Sequence, residues 1–97
     1  MTVKTTRWDV TEHLDSDESI ALFLEAVLEE NDPVLLATAL GDIARAKGMT
    51  ELARKAGLSR ESLYRALSAE GNPEMATIMK VIGALGLHLT VAPNQAA

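Results

Sequence analysis

Polar and basic side chains whose types and spacing suit contact with nucleic acid lie near the middle of the chain. The candidate contact residues are Arg54, Ser59, Arg60, Glu61, Ser62, Tyr64 and Arg65. Each can donate or accept hydrogen bonds, and an arginine can bond the edge of a guanine through two nitrogen atoms at once. The group therefore predicts a surface that binds double-stranded DNA, with the residues after Ser59 entering the major groove.

Two short helices that meet at a sharp corner are predicted to position this surface. Thr50 is the expected N-cap of the first helix, which covers residues 51–56, because its hydroxyl can accept an amide hydrogen bond. Gly57 ends that helix, since the corner needs a residue that tolerates a positive φ. Ser59 is the expected cap of the second helix, which covers residues 60–67.

Apolar side chains are predicted to hold this corner, residues 49–67, together from behind. At helical pitch they point away from the polar face, and the small side chain of Ala53 lets the two helices approach closely. They are Leu52, Ala53, Ala56, Leu58, Leu63, Ala66 and Leu67. An ordinary helical corner with no role in DNA binding is the alternative, because short helix–glycine–helix patterns also arise by chance.

Three further helices are predicted around the corner, which gives an all-α fold of five helices. Residues 15 and 16 offer caps for the first helix, and the second runs from Pro33 to Gly48. The last helix is predicted to begin at Pro73, with Asn72 as its cap, and Gly86 ends it. The predicted buried stripes are Ile20, Phe23, Leu24, Val27 and Leu28, then Leu36, Ala39, Leu40, Ile43 and Ala44, then Met75, Ile78, Met79, Ile82 and Leu85.

A short strand is predicted over residues 87–92, where apolar and polar side chains alternate. A lone strand leaves its backbone edges unpaired. It therefore needs a partner in the N-terminal extension, residues 1–16, or in a second copy of the chain. Because one DNA-binding surface contacts only a half-site, we expect a homodimer.

The composition indicates one small domain, residues 1–97, without a catalytic or cofactor site. The absence of cysteine excludes disulfides and thiolate metal sites and is compatible with a reducing cytoplasm. The two histidines of the chain, His13 and His88, are far apart in sequence, and there is no glycine-rich phosphate loop. No apolar run approaches the roughly 20 residues that span a membrane. We expect a cytoplasmic protein with no enzymatic activity, metal or cofactor.

The net charge of −5 is unevenly distributed along the chain. Residues 1–48 contain ten acidic and four basic side chains, whereas residues 45–65 contain six basic and two acidic ones. Attraction to phosphate is local, because salt screens charges over roughly 8–10 Å. The basic segment is therefore compatible with DNA binding. The acidic half indicates either a basic partner or a solvated surface.

The corner resembles the helix-turn-helix of the five-helix phage-repressor family, the Xre/Cro/cI type. The resemblance rests on Leu52-Ala53, Gly57-Leu58-Ser59 and Leu63, which fall at the family's buried and turn positions. A wider match covers residues 40–89. One departure is that Glu51-Leu52 directly follows Thr50, where the family usually places a glutamine and another polar residue first. The phosphate contact of that glutamine is therefore not carried over.

Most of the chain, residues 7–90, resembles a narrower family, the HigA-like addiction-module antidotes. The matching segments are Trp8-Asp9-Val10, the acidic helix start, residues 42–49, residues 57–67 and Gly71-Asn72-Pro73. The resemblance implies an antitoxin that neutralises a small basic toxin of the RelE/ParE type, usually a ribonuclease acting on mRNA. It also implies a dimer that binds the operator of its own operon. A free-standing repressor without a toxin and a helical interaction module that does not bind DNA are the alternatives.

Under this resemblance the acidic half is expected to contact the toxin. A ribonuclease needs basic side chains to bind RNA phosphates, so an acidic surface can compete for them. The candidate contacts are Glu25, Glu29 and Glu30 on the first helix, together with Trp8. A solvated surface, with Trp8 packed on its own domain, is the alternative.

Overall fold

Five helices form the regular structure of residues 16–94, the part of the chain that the computed structural model describes. They are α1 (Asp17–Leu28), α2 (Pro33–Lys47), α3 (Met49–Ala56), α4 (Arg60–Ala66) and α5 (Met75–Ala84). The predicted all-α class with five helices is confirmed for these residues. The predictions for Trp8, for His13 and for an extended piece near the N-terminus lie outside the described residues.

The first two helices begin where their capping residues predict. The Ser16 hydroxyl accepts a hydrogen bond from the Ser19 amide at 3.1 Å. The Asp32 carboxylate accepts from the amides of Val34 and Leu35 at 3.0 and 3.2 Å. Because the first amides of a helix have no partner within the helix, these side chains stabilise its start. Ser16 thus confirms one of the two predicted caps, and Pro33 is the first residue of α2 as predicted, with Asp32 as a cap that the sequence analysis did not name.

The last helix begins two residues later than predicted. Helix α5 starts at Met75, with Glu74 in the cap position and no side-chain cap, so the prediction of Asn72 and Pro73 is wrong. The preceding loop first packs against the end of α4. A Cβ atom added to Gly71 would lie 2.3 Å from the Ala66 carbonyl oxygen. The chain therefore needs additional residues to leave α4 before α5 can begin.

The predicted strand over residues 87–92 is wrong for the single chain. None of the described residues after α5 forms a helix or a strand. The alternation survives in the burial of the side chains. Leu87 and Leu89 are half-buried against the core, whereas His88 and Thr90 are exposed. A strand also needs a hydrogen-bonded neighbour, and no backbone among the described residues supplies one.

One apolar core joins all five helices. It contains Ile20, Leu24, Leu40, Ile43, Ala44, Met49, Leu52, Ala53, Leu63, Leu67, Val81, Ile82 and Leu85. Helix α2 packs on α1 and α3, and α3 packs on α4 and α5. Helix α3 is therefore the central element, and α1 is joined to it through α2.

The buried stripe of α5 is shifted from its predicted position. Val81 is fully buried, whereas Met75 and Met79 are 61% and 57% exposed. Helix α5 is apolar around much of its circumference, so its periodicity does not define which side faces the core. The prediction that Met75 and Met79 fill the core is wrong. Leu28 of α1, also predicted to be buried, is 38% exposed.

Candidate nucleic-acid interface

Helix α3 begins directly at the end of α2, without the predicted side-chain cap. Gly48 occupies the cap position, and its carbonyl accepts a hydrogen bond from the Leu52 amide at 3.0 Å. Thr50 lies inside the first turn and is exposed, so its assignment as the N-cap is wrong. The helix begins earlier than expected because Gly48 lets the chain turn from α2 into α3 without a connecting loop.

The turn between α3 and α4 has the geometry that the sequence predicts. Gly57 adopts a left-handed backbone with φ of 75°. The Leu58 amide donates to the Ala53 carbonyl at 2.9 Å, and the Gly57 amide donates to the Arg54 carbonyl at 3.2 Å. These bonds satisfy the last carbonyls of α3 in the pattern that a left-handed glycine permits. Leu58 packs against the core from inside the turn.

Ser59 begins α4 as predicted. Its hydroxyl accepts a hydrogen bond from the Ser62 amide at 3.0 Å, and the helix runs from Arg60 to Ala66. The predicted end at residue 67 differs by one position, and Leu67 is buried behind the helix. The Ser59 hydroxyl therefore has a structural role at the start of the helix that carries most candidate contacts.

The candidate contact residues share one exposed surface. The side chains of Arg60, Glu61, Tyr64 and Arg65 are exposed, Ser62 is half-buried, and Leu63 is fully buried on the opposite side of α4. Tyr64 is 62% exposed, so its ring and hydroxyl are accessible to a ligand. The polar front and apolar back of α4 are thus present, and the DNA contacts stay predictions.

Two of the basic side chains near the corner have acidic partners on their own helices. Arg54 donates a hydrogen bond to Glu51, one turn earlier on α3. Arg45 donates to the buried Asp42 at 3.0 Å. The hydrogen bond from Arg54, and then its positive charge, lower the pKa of Glu51 below its usual value. The partial neutralisation of Arg54 and Arg45 was not evident from a count of charges.

Four other basic side chains near the corner are exposed and form no ion pair within residues 16–94. They are Lys47, Lys55, Arg60 and Arg65. Lys47 ends α2, Lys55 is in the last turn of α3, and the two arginines lie on α4. The packing of α3 against both α2 and α4 brings these elements together.

A close contact between α2 and the end of α4 fixes the position of the corner. A Cβ atom added to Gly41 would lie 2.5 Å from the Leu67 carbonyl oxygen, closer than such atoms approach in proteins. Only glycine therefore allows this approach. Sequence reasoning did not identify Gly41, because a glycine inside a helix carries no local signal of the backbone that packs against it.

Comparison with known proteins identifies the family. A family model described as "Probable addiction module antidote protein" matches residues 4–93. The chain belongs to this antidote family. It is also 50% identical to an uncharacterised protein of Haemophilus influenzae over 97 residues, which cover all of both chains. No solved structure matches the chain.

Membership of the antidote family implies a toxin as partner, since an addiction module pairs an antidote with a toxin. Among residues 16–94, no helix has the length and apolar character needed to cross a membrane. The same residues contain no cluster of three or more histidine, cysteine, aspartate or glutamate side chains that could hold a metal ion.

Proposed function

We propose that this chain is the antitoxin of a type II toxin–antitoxin module. It neutralises a small basic toxin of the RelE/ParE type and represses its own operon by binding operator DNA, and it has no enzymatic activity. The antidote family supports the antitoxin role. The observation that carries the DNA-binding role is the exposed basic surface at the end of α2 and on α3 and α4, in a chain whose net charge is −5.

Helix α4 acts as the recognition helix of a helix-turn-helix. Arg60 lies at its N-terminal end, the part of a recognition helix that contacts base edges. Arg60 and Arg65 are suited to guanine, whereas Glu61 can accept from a cytosine amino group. Tyr64 and Ser62 offer hydroxyl groups to bases or phosphates. Ser59 positions α4 through its cap.

Basic residues outside α4 bind phosphates. Lys47 and Lys55 are exposed and have no ion pair among the described residues, so they can neutralise phosphates directly. Arg54 must share its charge with Glu51, and Arg45 with Asp42. The two lysines are therefore expected to contribute more to phosphate binding than these arginines.

A homodimer presents two recognition helices to an operator with two half-sites. Met75 and Met79 form an exposed apolar pair, one turn apart on α5. The segment after α5 keeps the alternation of a strand and has no strand partner among the described residues. A second copy can cover the methionines and pair with this segment. Truncation after Gly86 should then shift sedimentation toward the monomer, and an unchanged dimer would exclude residues 87–97 from the interface.

The decisive experiment tests both activities on the same preparation. The chain is co-expressed with the product of the adjacent gene, and the purified complex is tested in a gel shift on the DNA upstream of its own operon. We expect a stable complex and a shift that scrambled DNA does not give. Operator binding without a partner would favour a free-standing repressor. A partner without any DNA binding would favour a helical interaction module.

A further inference from the structure

The charges at the C-terminal end of α1 run against its helix dipole, whereas Asp17 and Glu18 in its first turn suit it. Glu25 lies in the last turn, Glu29 is the C-cap and Glu30 follows it, with no basic residue in that turn. Carboxylates near a helix C-terminus face the negative end of the dipole, which is unfavourable. Glu25 and Glu29, one turn apart, also repel each other. The two ion pairs described within residues 16–94 lie elsewhere, so neither offsets this repulsion.

A leucine is exposed at the centre of these carboxylates. Leu22 is 67% exposed, although α1 buries Ile20 and Leu24 on its other side. At helical pitch Leu22 is one turn from Glu18 and from Glu25, and two turns from Glu29. These four residues are called the acidic face of α1. Its leucine contributes nothing to the core, and its glutamates at the C-terminal end destabilise the helix that carries them.

Three exposed apolar side chains lie near the C-terminal end of the acidic face, at the connection between α1 and α2. They are Leu28, Val34 and Leu35, which are 38%, 51% and 38% exposed. Residues 16–44 contain seven acidic side chains and no lysine or arginine. A helix of twelve residues is only about 18 Å long, whereas a stable interface covers about 800 Å² on each partner. A docking partner must therefore also cover the three apolar residues at the connection between α1 and α2.

We propose that the acidic face of α1, together with the exposed residues Leu28, Val34 and Leu35 near its end, forms the surface that holds the toxin. The partner is a protein whose basic side chains surround an apolar patch, because that chemistry complements carboxylates arranged around Leu22. This assignment rests on the proposed antitoxin function. It deepens that function by naming the surface, with Leu22 as the apolar anchor.

The location of this surface allows DNA and toxin to bind at the same time. Helix α2 has 15 residues and is therefore about 22 Å long. Its first residue, Pro33, adjoins the exposed side chains of Val34 and Leu35, and its last residue adjoins α3. Helix α1 packs on α2, whereas α4 packs on α3. The C-terminal end of the acidic face thus lies near the first residue of α2, and the basic surface lies near its last residue.

Point substitutions test the surface, because deletion of α1 would remove Ile20 and Leu24 from the core. The partner protein is the product of the adjacent gene, purified separately, and binding is measured by surface plasmon resonance. The double variant Glu25→Lys/Glu29→Lys should bind at least about tenfold more weakly, mainly through slower association. Its own melting temperature should rise by a few degrees, since the lysines suit the helix C-terminus.

A matched charge reversal controls for net charge. Glu70→Lys/Glu74→Lys changes the total charge by the same amount on exposed residues away from α1. This variant should bind the partner nearly as well as the unchanged chain. Leu22→Ala should weaken binding about five- to tenfold, as expected for a central apolar anchor. Lys80→Ala, at an exposed residue of α5 outside both proposed surfaces, should leave toxin binding unchanged.

The outcomes separate this surface from the proposed function. If the unchanged chain does not bind the adjacent gene product, the antitoxin function fails, and the toxin surface fails with it. If the chain binds but Glu25→Lys/Glu29→Lys and Leu22→Ala bind equally well, only the acidic face is overturned. Selective loss in Lys80→Ala would instead assign the toxin to α5. Weakening by both charge-reversal variants alike would attribute the effect to net charge and overturn the assignment.

Discussion

The α3–α4 corner and α1 both expose charged faces, but the charges have opposite effects on the helices that carry them. In α3 and α4 an acidic residue lies in the first turn and basic residues lie in the last, which suits the helix dipole. In α1 the last turn and its cap are acidic. Arg54, Lys55 and Arg65 therefore stabilise their own helices, whether or not DNA is bound, whereas Arg60 lies at the unfavourable N-terminal end of α4. The C-terminal glutamates of α1 have no such intrinsic benefit.

This contrast changes how strongly each surface argues for a partner. The last-turn charges of α3 and α4 have an explanation within the fold, whereas Arg60 at the start of α4 has none, so the DNA-binding role depends on Arg60 and on the exposure of α4. The first-turn acids of α1 suit its dipole, but Glu25 and Glu29 at its C-terminal end do not, which is the pattern expected where function overrides local stability. The acidic face and Arg60 are thus the two places where the charges indicate a partner.

The largest expected effect comes from the contact that holds α4 against α2. Gly41→Ala places a Cβ atom 2.5 Å from the Leu67 carbonyl oxygen, so the end of α4 must move. We expect the free energy of unfolding to fall by about 1–3 kcal/mol in urea denaturation, together with weaker operator binding. Binding to the toxin should be affected less, because α1 packs on α2 rather than on α4.

A second glycine gives the matched control for this prediction. Gly83 lies inside α5, and an added Cβ atom would meet nothing within 4 Å. Gly83→Ala should therefore raise the free energy of unfolding by up to about 1 kcal/mol, because alanine favours a helix. If Gly41→Ala is as stable as the unchanged chain, the backbone of α2 lies farther from the Leu67 carbonyl oxygen than the structure indicates.

Arg60→Ala tests whether the corner distinguishes DNA sequences. If Arg60 contacts a guanine, its loss should weaken operator binding by about 1–3 kcal/mol and leave binding to scrambled DNA much less affected. Gel shifts at one salt concentration measure both affinities. Equal losses on the two DNAs would limit Arg60 to phosphate contact.

Ser59→Ala and Thr50→Ala separate a cap from an ordinary position in the first turn. The Ser59 hydroxyl accepts from the Ser62 amide, so its removal should cost about 1 kcal/mol of stability. Thr50 makes no cap bond, and alanine at this exposed position should be neutral or slightly stabilising. Thermal unfolding monitored by circular dichroism measures both. A larger loss of stability in Thr50→Ala than in Ser59→Ala would show that Thr50 caps α3 after all.

The smallest expected effect concerns Arg54 and its acidic partner. If Arg54 contacts a phosphate, Arg54→Ala should reduce the slope of log K against log salt by at most about 0.9. Glu51→Gln should strengthen DNA binding, because it releases Arg54 from its ion pair. Lys80→Ala, on an exposed residue of α5, is the control for total charge. Unchanged slopes in the Arg54 and Glu51 variants would place this pair outside the interface.

The pH dependence of this pair follows from its direction of shift. The pKa of Glu51 is lowered in the folded chain by its hydrogen bond with Arg54. Its stabilising contribution is therefore present above the usual glutamate range and is lost as the pH falls through the lowered pKa. DNA binding near neutral pH should accordingly find Arg54 paired. Titration of the Glu51 carboxyl by NMR in the unchanged chain and in Arg54→Ala measures the shift.

Some errors of sequence interpretation share a physical cause. The predicted start of α5 used Asn72 and Pro73, which are suitable local residues, but the chain there is still packed on the end of α4 through Gly71. The predicted burial of Met75 and Met79 used apolar periodicity on a helix that is apolar on several sides. In both cases local preference was clear and tertiary packing decided otherwise.

The sequence by itself determined the number and type of the helices, because apolar spacing, caps and glycine turns act within a few residues. Ser16, Pro33, Gly57 and Ser59 are found in their predicted roles. Only the tertiary structure decided which apolar residues remain exposed, since that depends on how the helices pack. The exposure of Leu22 and the approach permitted by Gly41 both arise in this way, because neither follows from the spacing of neighbours along one helix.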